Sequence, residues 1–155
     1  MNIIKLKALL LVTLLSTATL FAGFQTVDCT NQTHLDTLKL PQVECEILDA
    51  FWTAMDNGAG WTDATGWDTV TYADTWSGVY MYDDNSSIKW FGLPFSNLNG
   101  ELPEEIGNFI NLKQFAFNTN HISGKVPTSI DNLHSLEALD LGNNQLSGLF
   151  PKLSL

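Results

Sequence analysis

Apolar residues recur in the second half of the chain with a pattern that repeats every 24 residues. Glycine, proline and asparagine recur with the same period. The positions that keep it are Leu98, Ile122 and Leu146; Gly100, Gly124 and Gly148; Pro103, Pro127 and Pro151; and Leu112, Phe115, Phe117 and Asn120, followed by Leu136, Leu139, Leu141 and Asn144. Because several residue types share one fixed period, the pattern predicts a stacked solenoid.

Each repeat contains a short segment with strand periodicity. Its last two apolar residues lie two positions apart, which sends both side chains to one face of a β-strand. We predict parallel strands at about residues 89–94, 113–118 and 137–142, the first in a degenerate coil with Ser96 at the Asn position. Asn120 and Asn144 should turn inward and form a ladder, because a buried amide must bond backbone groups. Glycines such as Gly124 permit a tight turn.

The region before the repeats is expected to form a cap. Apolar residues between positions 43 and 55 share one helical face, and Glu44 falls where a helix N-terminus favours negative charge. Residues 23–40 are polar and give no sign of a regular element. For Trp61, Trp67 and Trp76, packing in an irregular end cap is favoured over a sugar-binding platform.

The first 22 residues have the pattern of an export signal. Lys5 and Lys7 precede an apolar run over residues 8–22, and cleavage is expected after Ala22. The alternative is an uncleaved membrane anchor, although the run is short for a span and is interrupted by hydroxyl residues. We therefore expect a secreted protein, periplasmic or extracellular, with no membrane contact beyond this segment.

The charge balance is strongly acidic. The chain has 17 Asp and Glu residues against seven Lys and Arg, for a net charge of −10, and it contains no Arg at all. Removal of residues 1–22 would lower the net charge to −12, since two Lys and no acids are lost. Nucleic acid and anionic membrane surfaces would be repelled. Solubility explains this balance most simply, with a basic or cationic partner as the alternative.

The two cysteines, Cys29 and Cys45, are expected to pair. Exported chains meet an oxidising compartment, and two Cys in such a chain usually form a disulfide. Closing a loop of this length would contribute on the order of 3 kcal/mol. Two Cys and three scattered His offer no ligand cluster, so neither a metal nor another cofactor is expected.

At this point the sequence resembles a known family. Residues 112–127 and 136–151 are similar to the plant-type leucine-rich repeat, with Ile, Val and Phe substitutions. Residues 58–67 and 76–79 resemble the N-terminal cap of the same family, but Asp74 and Met81 stand where that cap usually has cysteines. The resemblance implies a recognition scaffold, as in plant polygalacturonase inhibitors and receptor ectodomains.

The predicted fold is an α/β solenoid, a short right-handed leucine-rich repeat coil with a parallel sheet on its concave face and an N-terminal helical cap. It divides the chain into a signal peptide (residues 1–22), an irregular segment (23–40), the cap (41–87) and the repeats (88–155). One repeat is degenerate, two are clear and the last is truncated. Apolar residues at the C-terminal end, including Leu149, Phe150 and Leu155, suggest a fragment of a longer array or self-association through that end.

The expected function is non-catalytic binding of a protein or peptide through the concave face, with a sugar or a cell-surface adhesion role as the alternative. The candidate ligand-binding residues occupy variable strand positions: Lys89, Trp90, Phe95, Lys113, Gln114, Asn118, Glu137, Asp140 and Asn143. Trp90 and Phe95 are the expected anchors, with burial against the cap as the alternative. Three strands span only about 10 Å, which favours weak binding. No catalytic motif is present, so an enzyme is not expected.

Overall fold

The computed structural model describes residues 26–153 of the 155-residue chain. The predicted signal peptide, with its cleavage after Ala22, lies outside the described residues, and so does Leu155. Two helices open the described part, α1 (Gln32–Leu38) and α2 (Gln42–Ala54). Neither helix, nor any other between residues 26 and 153, combines the length and the apolar character that crossing a bilayer requires.

Helix α1 lies in the segment for which the sequence predicted no regular element, so this expectation was wrong for seven residues. The side chain of Asn31 caps the helix by accepting the backbone N–H groups of Thr33 and His34 at 2.9 and 3.4 Å. Leu35 and Leu38 lie three positions apart and are both buried. An N-cap and two apolar residues are thus enough to form this short helix, because the remainder of the protein covers the face that carries Leu35 and Leu38.

A disulfide between Cys29 and Cys45 joins the start of the described chain to helix α2, as predicted. The two Cα atoms are 5.6 Å apart. Cys45 is completely buried, so the bond is part of the core of the cap.

Helix α2 confirms the predicted amphipathic helix, with Ile47, Leu48 and Phe51 turned into the core. Glu44 lies in the first turn of the helix, as predicted, and it is almost completely buried, with only 3% of the residue exposed. Its carboxylate accepts the backbone N–H of Ile88 at 2.8 Å and the hydroxyl of Ser87. The helix is therefore bonded to the start of the first repeat strand.

The main sheet has four strands in the order β1 (Val79–Met81), β2 (Ile88–Gly92), β4 (Gln114–Ala116) and β6 (Ala138–Asp140). Strands β2, β4 and β6 are the three predicted parallel strands, each shorter than predicted. Strand β1 was not predicted, and it pairs antiparallel with β2, so the sheet is mixed.

The segments that follow β2 and β4 form a second, two-stranded parallel sheet. It pairs β3 (Asn99–Glu101) with β5 (His121–Ser123). Short 3₁₀ helices follow at Glu104–Asn108 and Thr128–Asn132 and pack against each other, with the hydroxyl of Ser129 donating to the carbonyl of Glu104 at 2.6 Å. Strand, turn, second strand and 3₁₀ helix thus repeat as one coil.

The core runs from the cap into the coils and is rich in aromatic rings. Phe91, Phe115 and Phe117 are fully buried, and the Phe51 ring of helix α2 lies 4.8 Å from that of Phe91. The three Trp residues expected to pack in the cap are buried: Trp61, Trp67 and Trp76. Leu139 and Leu141, predicted as core, are only partly buried because β6 is the last strand of the described sheet.

The predicted asparagine ladder is present. The Asn120 side-chain oxygen accepts the N–H groups of Ser96 and Leu98, both at 3.0 Å. Its amide donates to the carbonyls of Leu93 and Phe117 at 2.8 and 2.9 Å. Asn144 repeats the arrangement one coil later. Each Asn thereby bonds the coil before its own.

Glycine is required in the middle of strand β3 because the chain passes close to the cap there. Gly100 has a φ of 146°, and a Cβ there would lie 2.0 Å from the carbonyl oxygen of Ala54. This contact seats the first coil against the end of helix α2.

Candidate binding site on the open sheet face

One face of the main sheet points away from the core, and we call it the open face. Phe91, Phe115 and Leu139 point inward, so their strand neighbours point outward. The open face consists of Tyr80, Trp90, Gly92, Gln114, Ala116, Ala138 and Asp140. With four strands the open face is roughly 14 Å wide, compared with the width of about 10 Å expected for three strands.

The strand register places the outward side chains in rows. Tyr80 lies opposite Trp90, Trp90 beside Gln114, and Gln114 beside Ala138. The Tyr80 and Trp90 rings are in contact, with centroids 4.7 Å apart and an angle of 68° between their planes. Tyr80 remains 54% exposed, while Trp90 is half-buried. The row therefore starts with an aromatic pair and ends with small and polar side chains.

Of the charged candidates beside this row, Lys113 and Glu137 neutralise each other, and Lys89 lies over an aromatic ring. The ammonium group of Lys113 pairs with the carboxylate of Glu137, and this hydrogen bond raises the pKa of Lys113. The ammonium group of Lys89 lies 5.8 Å from the centre of the Tyr82 ring. Both lysines are thus held by neighbouring side chains. An ion pair as exposed as that of Lys113 contributes little to stability.

The remaining candidates lie at the ends of the strands. Asp140 accepts the backbone N–H of Gly142 at 3.0 Å, which orients its carboxylate at the edge of the sheet. Asn118 is half-buried in a turn, and its carbonyl accepts the N–H of Phe95 at 3.2 Å. Asn143 is exposed. The structure thus brings Trp90, Gln114 and Asp140 onto one face and places Asn118 and Asn143 at its rim.

Phe95 has an unusual backbone conformation. Its φ is 54°, in the left-handed region, and the equivalent residues of the next two coils, Thr119 and Asn143, have φ values of 58° and 54°. The repeat geometry fixes this conformation, which bulky residues rarely adopt. The Phe95 side chain is nevertheless 69% exposed, so core packing does not account for the aromatic residue.

A cleft of about 320 Å³ separates the aromatic pair from the cap, and we call it the aromatic cleft. Its functional groups are the rings of Tyr80, Trp90 and Phe95 with the side chains of Asp63 and Ser77. Hydrogen bonds hold the cap side of the cleft. The indole N–H of Trp67 donates to the Ser77 carbonyl at 2.8 Å, for example.

Sequence reasoning missed Tyr80, Asp63 and Ser77 as site residues. The signal that could have pointed to Tyr80 is local: Val79 and Tyr80 are strand-favouring residues, and a polar turn at residues 83–86 separates them from Ile88. Two such runs around a short turn are the signal of a β-hairpin. Asp63 carries no comparable signal.

Between residues 26 and 153, no group of three or more His, Cys, Asp or Glu residues has a geometry that could hold a metal ion. His121 and His134 are exposed on the coils.

An apolar hollow of about 520 Å³ lies at the C-terminal end of the described chain. Leu139, Leu141 and Leu153 line it, together with Leu149, which is 96% exposed, and Phe150, which is 53% exposed. Self-association through this end stays a prediction.

Comparisons with known proteins agree with this coil architecture. The family model described as Leucine Rich Repeat matches residues 135–154. The ectodomain of the receptor kinase SOBIR1 from Arabidopsis thaliana is 20% identical, with a TM-score of 0.57 over 74% of this chain and 60% of that chain. The BIR2 ectodomain from Arabidopsis thaliana is 23% identical, with a TM-score of 0.54 over 72% of this chain and 59% of that chain. The protein has the leucine-rich repeat fold.

A third solved structure, of PEPR1 with AtPEP1, is 31% identical over 50% of this chain and 11% of that chain, with a TM-score of 0.46. The chain thus spans about 60% or less of the lengths of these three structures. A comparison with curated protein sequences found no significant match.

Proposed function

We propose that the protein is a non-catalytic extracellular scaffold that binds a protein or peptide through the open face, which corresponds to the predicted concave face. The observation that carries this proposal is the register of the main sheet. Four strands align Tyr80, Trp90, Gln114 and Ala138 in one row, and three of these four side chains are exposed. An aromatic anchor followed by polar and small residues suits an extended peptide segment.

Two further observations support the proposal. The fold is shared with the ectodomains of two plant proteins, one of them a receptor kinase. The disulfide between Cys29 and Cys45 suits an oxidising, extracellular compartment.

Selection from a random 12-residue peptide display library, followed by affinity measurement, tests the proposal. Ala138→Arg places a long, charged side chain on the open face, at the β6 end of the row. Thr128→Arg makes a matched change at an exposed position of a 3₁₀ helix on another side of the coil. We expect the selected peptides to lose at least about tenfold in affinity for Ala138→Arg and to bind Thr128→Arg like the wild type.

Equal losses in both variants, or no enrichment of any peptide, would contradict the proposal. Hydrolytic activity that disappears in Asp140→Asn would also contradict it, because a binding scaffold has no such activity.

Carbohydrate binding is the second candidate, favoured by the contact between Tyr80 and Trp90. Aromatic faces stack on sugar rings, and this pair offers an exposed phenol beside an indole. A glycan array on which Trp90→Ala abolishes the signal, together with a failed peptide selection, would replace the peptide proposal by this one.

A further inference from the structure

The aromatic cleft combines ring faces with one ionised group. Among the described residues that line it, Asp63 is the one with a charged side chain. One Asp63 oxygen accepts the backbone N–H of Thr65 at 2.9 Å, and the other accepts the hydroxyl of Ser77 at 2.8 Å. These bonds, those with Thr65 foremost, lower the pKa of Asp63 below its usual range. The cleft therefore carries a negative charge at neutral pH.

Three aromatic side chains line the same cleft as this carboxylate. Tyr80 and Trp90 form the cross-strand pair, and Phe95 enters the cleft from the turn after β2. The face of an aromatic ring carries negative potential and attracts a Lys or Arg side chain within about 6 Å of its centre. A carboxylate beside such rings adds a charge-assisted hydrogen bond for the same cation.

The lysines of the sheet leave the charge of the cleft uncompensated. Lys89 is the lysine nearest in sequence to Trp90, and its ammonium group lies over the ring of Tyr82 instead. Lys113 is paired with Glu137. The described part of the chain as a whole has five Lys, no Arg and 17 acidic residues. This excess of negative charge attracts a basic ligand from a distance.

The conformation of Phe95 points to a ligand as well. An aromatic residue in the left-handed region costs stability, and an exposed ring recovers little of that cost by burial. Asn143, at the same position two coils later, shows that the turn accommodates a residue suited to this conformation. An aromatic residue thus occupies this position in the first coil, where Phe95 lines the cleft, and not in the next two coils, which have Thr119 and Asn143.

We infer that the aromatic cleft binds the side chain of a lysine or arginine of the bound peptide, with Asp63 as its charge partner and Tyr80, Trp90 and Phe95 as its aromatic walls. This inference rests on the proposed function, because it assigns a ligand chemistry to one end of the open face. A volume of about 320 Å³ suits a single long side chain. A sugar could stack on the same rings, but it would gain nothing from the net charge.

Nuclear magnetic resonance titration of the ¹⁵N-labelled protein tests the inference without a known partner. The probes are the N-acetyl amides of lysine, arginine and norleucine, the last being a neutral analogue of lysine. We expect both cationic probes to shift the Trp90 indole signal and the amide signals of Ser77, Gly78 and Gly92, with affinities of the order of millimolar. Norleucine should bind at least about tenfold more weakly.

Two matched variants locate the charge. Asp63→Asn removes the charge and retains the loop, because its amide oxygen can still accept the N–H of Thr65 and its amide N–H can donate to the Ser77 hydroxyl oxygen. Asp84→Asn removes an equivalent charge in the turn between β1 and β2, where Asp84 accepts the N–H of Ser86 at 3.0 Å. Cation binding should weaken at least about fivefold in Asp63→Asn and stay unchanged in Asp84→Asn.

Three results would overturn the inference: norleucine binding as well as lysine, unchanged cation binding by Asp63→Asn, or no shift from either cation at about 50 mM. Cellobiose that shifts the same signals when the cations do not would assign the cleft to sugars.

If selected peptides respond to Ala138→Arg and not to Asp63→Asn, the proposed function stands and this inference fails. If the cations bind in the cleft but Ala138→Arg leaves peptide binding unchanged, the peptide proposal fails.

Discussion

The carboxylate of Glu44 in helix α2 accepts the backbone N–H of Ile88, the first residue of strand β2, at 2.8 Å. Two segments that lie 44 residues apart in the chain are joined by this bond inside the core. A carboxylate in this position acts like the oxygen of an adjacent strand, because it satisfies a donor at the start of the first repeat coil.

This buried group makes stability depend on pH. Burial raises the pKa of Glu44 above its usual value, against the opposing effect of the bonds from Ser87 and Ile88. The folded state therefore binds the proton more tightly than the unfolded state. The contribution of Glu44 to stability is complete below about pH 4.5 and is lost as the pH rises through the raised pKa, with a slope of at most about 1.4 kcal/mol per pH unit.

Glu44→Gln should remove this loss, because the amide oxygen can still accept the N–H of Ile88 and carries no charge. Thermal melts between pH 4 and pH 7 measure the difference between the variant and the wild type. Glu46→Gln, an exposed position on the same helix, is the control and should follow the wild type. Parallel curves for Glu44→Gln and the wild type would show that the carboxyl group does not titrate differently on folding.

Asn120→Ala should destabilise the protein by about 2–4 kcal/mol, because it leaves buried donors of Ser96 and Leu98 without their acceptor. The matched variant, Asn144→Ala, should cost less, about 1–2 kcal/mol, since Asn144 is half-buried and water can replace its bonds. Urea unfolding measures both. Equal losses would mean that burial does not set the strength of the ladder.

Phe115 and Leu139 occupy the same position in consecutive coils, but their burial differs. Phe115→Ala should cost about 3–5 kcal/mol, because Phe115 is fully buried. Leu139→Ala should cost about 1–2 kcal/mol, because Leu139 is only partly buried. Chemical denaturation of both variants checks the order. A larger loss for Leu139→Ala would mean that the last described strand is covered in solution.

Phe95→Asn should stabilise the fold and weaken the aromatic cleft. Asparagine tolerates the left-handed conformation better than phenylalanine, so we expect a gain of about 1 kcal/mol and a rise in Tm of about 3 °C. The lysine probe should bind at least about threefold more weakly.

Thr119→Asn is the control for Phe95→Asn, because it makes the same change in the next coil at a φ of 58°. It should gain stability without any effect on the lysine probe. A Phe95→Asn protein that loses stability would show instead that the exposed ring packs against the cap.

The repeat core, the asparagine ladder, helix α2 and the disulfide could be predicted from the sequence, because each depends on a pattern within a single stretch of chain or on residue type. Strand β1 could not be predicted in the same way. Its three residues are too few to establish a period, and they form a strand because β2 lies beside them. Helix α1, with seven residues, is also too short to show a helical period in the sequence. It depends on the core to cover Leu35 and Leu38.

The candidate site was predicted in part. The outward positions of β2, β4 and β6 follow from the repeat, so Trp90, Gln114 and Asp140 were found. Asp63 and Tyr80 belong to the cap, where no repeat relates one residue to another. The bond from the N–H of Ile88 to the Glu44 carboxylate, at 2.8 Å, was not predicted, because nothing near either residue in the sequence shows that the two will meet.

The direction of the asparagine bonds governs how such a chain can change its length. Asn120 bonds Ser96 and Leu98, and Asn144 bonds Ile122, so every coil is completed by the coil that follows it. A duplication or loss of 24 residues carries one donor set and one amide together and leaves every other bond in place. An insertion or deletion of 23 or 25 residues would move an asparagine amide out of register with the backbone donors that it bonds. A whole coil is therefore the unit by which this sheet can gain or lose surface with the ladder intact.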